Sequence, residues 1–140
     1  MLAILILLGL LPFALGGFLN WFMMANSGVL PYLMPIGLVT LLLWAAMAFA
    51  VKPYAKSTKK TVVGLNLPAL VVLILVGIQE LVLHAYWPNV IGSWTQFFYL
   101  PLLHLGFRLT FWSHGVFSAY CASFLLMAAA SAMGCAIRKK

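Results

Sequence analysis

The sequence predicts an all-α integral membrane protein: a bundle of four transmembrane helices, with an extracytoplasmic aromatic segment that is interfacial or re-entrant. Hydrophobic residues make up 66% of the 140 residues and charged residues 6%, against about 45–50% and about 25% in an ordinary soluble domain. This number of charged side chains is too small to cover a surface that faces water. Lipid is therefore the expected surroundings for most of the chain. We therefore expect one polytopic membrane domain over residues 1–140.

The second observation is a set of four apolar runs. Each is long enough to cross a hydrocarbon core of roughly 30 Å. The first lacks the basic start and the small-residue cleavage site of a signal peptide, which favours a retained span. The predicted spans are residues 2–24, 29–51, 67–87 and 115–137.

Proline, glycine and asparagine set the expected boundaries of these spans. Pro12 predicts a bend in the first span, and residues 25–28 (Ala-Asn-Ser-Gly) predict a turn after it. Pro53 follows Lys52 and predicts the end of the second span. Asn66 and Pro68 predict the N-cap and the first turn of the third.

The third observation is the placement of positive charge. The net charge is +7, and seven of the eight basic residues fall in two clusters. Basic clusters beside apolar runs are typical of the cytoplasmic side, and anionic lipid headgroups explain the charge without nucleic acid. We therefore expect both termini on the cytoplasmic side of a bacterial cytoplasmic membrane. The clusters are Lys52, Lys56, Lys59 and Lys60 in the lysine loop (residues 52–60), and Arg138, Lys139 and Lys140.

Residues 89–113 are the ambiguous stretch. They are rich in aromatic side chains but also contain Gln96, Pro101, His104 and Arg108. If this stretch crossed the membrane, the two basic clusters would lie on opposite sides, against the positive-inside tendency. An interfacial or re-entrant segment is therefore predicted, and a fifth crossing is the alternative.

Glu80 is the only acidic side chain in the chain, and it lies inside an apolar run. A carboxylate there requires a partner. His84 lies four residues later, on the same face of a helix, and His104 and Arg108 have the same spacing. We expect these four residues and His114 to meet near the extracytoplasmic face, as a proton, ion or ligand site.

Several kinds of chemistry fit this group. A structural Glu80–Arg108 ion pair is the simplest, and a proton or ion relay through the histidines is the second. Glu80, His84 and His104 could also bind a metal ion, and His84 with His104 could bind haem. A quinone or lipid headgroup could use the same place, so no cofactor is identified. No aspartate is present to orient a catalytic histidine.

Small residues recur at four-residue spacing in the last span, which predicts close helix packing in a bilayer. The pairs are Ala128 with Ala132, and Ala130 with Gly134. This face is expected to lie at the centre of the bundle or at the interface of a homo-oligomer or a partner subunit.

These observations favour a small transporter or channel subunit. The alternative is a non-catalytic accessory or anchor subunit of a larger membrane complex. A membrane enzyme acting on a lipid-like substrate is a more distant possibility.

Overall fold

The computed structural model describes residues 1–27 and 32–138, and all regular structure in these residues is helical. Residues 28–31, which include parts of the predicted turn and second span, and Lys139 and Lys140 lie outside the described residues. The helices are α1 (Leu2–Gly9), α2 (Leu11–Ala25), α3 (Leu33–Ala55), α4 (Thr58–Gly77, extended by a π-helical turn, Ile78–Val82), α5 (Val90–Leu109) and α6 (Val116–Ile137).

Four helical stretches of the described chain are long and apolar enough to cross a membrane, which confirms the predicted all-α class and the number of such helices. The first of them is interrupted at Leu10, just before Pro12, where α1 gives way to α2. The four stretches are Leu2–Ala25, Leu33–Ala55, Thr58–Val82 and Val116–Ile137.

The predicted end of the second span at Pro53 is wrong. Pro53 lies inside α3, which continues to Ala55 and ends at Lys56 in a left-handed conformation, with φ 55°. A proline has no N–H for the carbonyl four residues earlier, which here belongs to Phe49. Arg138 donates to that carbonyl oxygen at 3.1 Å and lies over the Phe49 ring, 4.9 Å from its centroid. An interhelical contact therefore replaces the hydrogen bond that Pro53 cannot make.

The predicted N-cap role of Asn66 is also wrong, because α4 begins at Thr58 and contains both Asn66 and Pro68. The Asn66 side chain instead connects three helices. Its amide nitrogen donates to Ser131 Oγ on α6 at 2.8 Å and to the carbonyl of Val62 at 2.8 Å. Its oxygen accepts from Trp44 Nε1 on α3 at 3.3 Å. Asn66 thus holds α3, α4 and α6 together by polar contacts inside an apolar core.

Contacts between helices place both described ends of the chain beside the lysine loop, at what we call the lysine end. Lys52 Nζ donates to the carbonyl oxygens of Cys135 and Arg138, at 2.8 and 2.7 Å. At the start of the chain, Leu5 packs over Gly64 near the beginning of α4. The opposite end of the bundle, where α4 ends and α6 begins, is the distal end.

Helix α5 lies across the distal half of the bundle, packed against α2, α3, α4 and α6. Near its start, Thr95 contacts Gln79 of the π-helical turn. Near its end, Gly106 packs on the backbone of Ala119 in α6. Its middle touches Gly37 of α3 through Pro101 and Leu105, a position about 22 Å from Lys52 at 1.5 Å per residue. Both ends of α5 therefore lie towards the distal end, and it is not one of the four long apolar helices.

The small residues of α6 divide between two faces. Gly134 is buried so closely against the backbone of Ala45 that a Cβ atom would overlap the Ala45 carbonyl group, and Ala130 is only 8% exposed. Ala128 is partly exposed and Ala132 is exposed. One pair therefore packs within the bundle, and the other faces outward.

We expect Gly134→Ala to lower the free energy of unfolding by about 1–3 kcal/mol, because the added methyl group must push α6 away from α3. Ala132→Leu adds a larger side chain to the same helix, but at an exposed position, and should change stability by less than about 0.5 kcal/mol. Reversible unfolding in detergent micelles measures both. Equal destabilisation by the two variants would contradict this assignment of faces.

Candidate functional site

The π-helical turn at the end of α4 positions Glu80. In this turn the Leu83 N–H donates to the carbonyl of Ile78, five residues earlier, at 3.0 Å. Such a turn widens the helix by one residue, and π-helical turns are frequent at functional sites. It places Gln79 in the interior, with no exposed surface, and Glu80 at a partly buried position beside the start of α6.

Both oxygens of the Glu80 carboxylate accept hydrogen bonds. Oε1 accepts from the backbone N–H of Phe117 at 2.8 Å, and Oε2 accepts from the Tyr86 hydroxyl at 2.8 Å. Phe117 is the second residue of α6, so its N–H has no partner within that helix. A negative charge at a helix N-terminus is also favoured by the helix dipole. Glu80 therefore caps α6 from a neighbouring element.

Tyr86 lies in the loop after the π-helical turn and supports this arrangement. Partial burial, followed by the hydrogen bond to Glu80 and the charge of that carboxylate, raises the pKa of the Tyr86 phenol above its ordinary value. The phenol consequently stays protonated around neutral pH and remains a hydrogen-bond donor.

Gln79 connects α4 to α5 and to the loop between them. Its Oε1 accepts from the Trp87 N–H at 3.1 Å, and its Nε2 donates to Thr95 Oγ1 at 3.2 Å. Thr95 in turn donates to the carbonyl of Gly92 at 2.7 Å. Sequence reasoning missed Gln79, although a second polar residue beside Glu80 in an apolar run was a signal for it.

The other four predicted site residues also lie near the distal end, but Glu80 makes no hydrogen bond or ion pair with any of them within the described residues. His84 is exposed in the loop after α4, with φ 51°. His104 is partly buried in α5, Arg108 is exposed in its last turn, and His114 is exposed in the loop before α6. The expected Glu80–Arg108 ion pair is not formed, because a helix N-terminus and a phenol already compensate the carboxylate.

The described residues contain no group of three His, Cys, Asp or Glu side chains close enough to hold a metal ion. Glu80, His84 and His104 therefore do not form the ligand set that the sequence suggested.

Hydrogen bonding is complete in the interior of the described chain. Every buried side-chain nitrogen and oxygen there has a partner, and several of these partners are backbone carbonyls. Tyr99 donates to the carbonyl of Ala69 at 2.6 Å, and Ser123 donates to those of Ala119 and Leu102, at 2.8 and 3.3 Å. The hydrogen bonds of these polar side chains therefore join the helices to one another.

Comparison with family models, with curated proteins and with solved structures finds no match to the chain.

Replacing Glu80 by Ala should lower the free energy of unfolding by about 1–3 kcal/mol, because the Phe117 N–H and the Tyr86 hydroxyl lose their acceptor. Glu80→Gln keeps one acceptor oxygen and should cost less. The matched control, Arg108→Gln, removes an exposed charge and should change stability by less than about 0.5 kcal/mol. Unfolding in detergent micelles measures all three.

The double variant, Glu80→Ala with Arg108→Gln, tests whether Glu80 caps α6 independently of Arg108 or forms an ion pair with it. The two effects should add to within about 0.5 kcal/mol, as they do for residues that do not interact. A larger interaction energy would show that Glu80 and Arg108 are coupled after all.

Proposed function

We propose that this chain is an integral membrane protein that serves as a non-catalytic membrane subunit. Its four long apolar helices cross the bilayer, the lysine end faces the cytoplasm, and α5 lies in the outer half of the membrane. The four apolar stretches support the crossings, and the gathering of basic residues at one end supports the orientation.

The observation that carries the non-catalytic role is the state of Glu80. A proton or ion relay requires a carboxylate that exchanges its partners, whereas both oxygens of Glu80 are engaged in joining α4, its following loop and α6. These hydrogen bonds explain the chain's only carboxylate side chain as a structural group. The polar side chains of the interior likewise join helices.

The outward face of α6 supports the role of a subunit. Small side chains let a second helix approach closely, which is the main source of helix association in lipid. A second copy of the chain or a partner subunit is the expected neighbour. The exposed small residues of this face are Ala129, Ala132 and Ala136, and the larger Leu125 and Met133 are exposed beside them.

Proton or ion transport is the second candidate. It is favoured by the π-helical turn that holds Glu80 and by the presence of His84, His104, Arg108 and His114 near the same end of the bundle. In that case Glu80 releases Phe117 or Tyr86 during the transport cycle.

The orientation can be tested by cysteine labelling in a background in which Cys121 and Cys135 are replaced by Ala. Thr58→Cys, in the lysine loop region, should react with a membrane-impermeant maleimide only after the cells are permeabilised. His114→Cys, at the distal end, should react in intact cells. The opposite pattern would invert the topology, and equal reaction at both positions would contradict the proposed crossings.

The role can be tested with protein extracted in mild detergent. Light scattering should give a particle larger than the monomer, and Ala132→Leu should reduce its mass without lowering thermal stability. In liposomes that contain a pH-sensitive dye, proton flux should equal that of empty vesicles. A monomeric particle would contradict the proposal. So would proton flux that Glu80→Gln abolishes, which would establish transport instead.

A further inference from the structure

A groove of about 730 Å³ opens at the lysine end, between the start of α1 and the junction of α3 with α4. Its size falls in the range of small-molecule sites, about 300–1,000 Å³. It combines an apolar interior with a basic rim. The lining residues are Met1, Leu2, Leu5, Tyr54, Ala55, Lys56, Lys59, Lys60 and Val63.

The apolar part of the groove is formed by the contact between α1 and α4. Leu5 is only 1% exposed and packs over Gly64, which holds the two helices together at this point. Leu2 and Val63 stand on either side and remain 57% and 54% exposed. The structure thus leaves an open apolar surface that continues from the groove along the bundle.

The basic rim follows from the turn between α3 and α4. The left-handed conformation of Lys56 ends α3, and Lys59 and Lys60 fall in the first turn of α4. Positive side chains at a helix N-terminus repel the helix dipole, so an anion bound there would relieve an unfavourable arrangement.

Nothing on the described protein neutralises this rim. The only acidic side chain, Glu80, lies near the opposite end of the bundle, at the far end of α4. Lys52, in contrast, donates to two carbonyl oxygens and points into the contact between α3 and α6. Within the described residues, Lys56, Lys59 and Lys60 make no such hydrogen bonds.

We propose that this groove binds one anionic phospholipid. The phosphate group contacts Lys56, Lys59 and Lys60, and the upper part of an acyl chain lies against Leu2 and Val63. The three lysines favour an anionic group, and the apolar floor of the groove favours an anion with an attached acyl chain. This inference rests on the proposed placement of the lysine end at a membrane surface, which the cysteine labelling tests separately.

Native mass spectrometry of the protein released from mixed micelles tests the proposal. The micelles contain equal amounts of phosphatidylglycerol and phosphatidylcholine. The wild-type protein should retain one phosphatidylglycerol molecule in preference to phosphatidylcholine. Replacing Lys56, Lys59 and Lys60 together by Gln should weaken this preference by roughly 100-fold, the factor that three lysines supply at a membrane surface.

Three controls distinguish lipid binding in the groove from non-specific electrostatic attraction between anionic lipid and the lysines. Replacement of the three lysines by Arg keeps the charge and should keep the preference, and Arg108→Gln removes a charge at the other end and should have no effect. Val63→Trp keeps every charge but fills the groove, so it should lose the bound lipid. Unfolding measurements on each variant check that the bundle is intact. We expect no loss of stability because all of these side chains are exposed.

The source of the phosphate group is tested by competition. Inorganic phosphate or glycerophosphate at millimolar concentration should not displace the lipid, because neither occupies the apolar floor. Displacement by inorganic phosphate, retention of the preference in the Gln variant, or retention in Val63→Trp would each overturn the proposal.

Discussion

The distal end of the bundle depends on the hydrogen bonds of one carboxylate. Glu80 joins the π-helical turn to the N-terminus of α6 through the Phe117 N–H and to the intervening loop through Tyr86. The end of α4 and the start of α6 are held side by side. The 33 residues between Val82 and Val116, which include α5, therefore begin and end at the distal end of the bundle. This constraint explains why α5 lies across the distal half and does not extend to the lysine end.

The same need for hydrogen-bond partners governs the rest of the interior. Where lipid replaces water, a backbone carbonyl without a partner is costly. Pro53 leaves the Phe49 carbonyl without its usual donor, and Arg138 supplies one. Asn66 brings a polar side chain into the core, and Trp44 and Ser131 satisfy it. In each case an interruption of the apolar pattern becomes a contact between helices.

Composition and hydrophobic length were sufficient to predict the helical class and the four long apolar helices, because both depend on the average character of about twenty residues. The positions of boundaries depend on single contacts. Pro53 and Asn66 read as helix ends because their local preferences favour ends, whereas partners more than 60 residues away override those preferences. The importance of Glu80 was evident from its isolation, but its partner was not. One partner is a backbone N–H, a group that every residue except proline carries, whereas the sequence favoured Arg108, the only basic residue outside the two clusters.

The order of synthesis gives the position of α6 a further consequence. Ribosomes deliver a chain from its N-terminus, so α1 to α5 emerge before the helix that contacts α3, α4 and α5. During that interval the Asn66 amide lacks Ser131 and the Glu80 carboxylate lacks Phe117. The incomplete bundle therefore holds Asn66 only through Val62 and Trp44, and Glu80 only through Tyr86. Each gains its further partner when α6 arrives. Assembly of the bundle is thus completed by its last helix, and a chain that stops before residue 116 lacks the polar contacts that join α6 to α4 and to the π-helical turn.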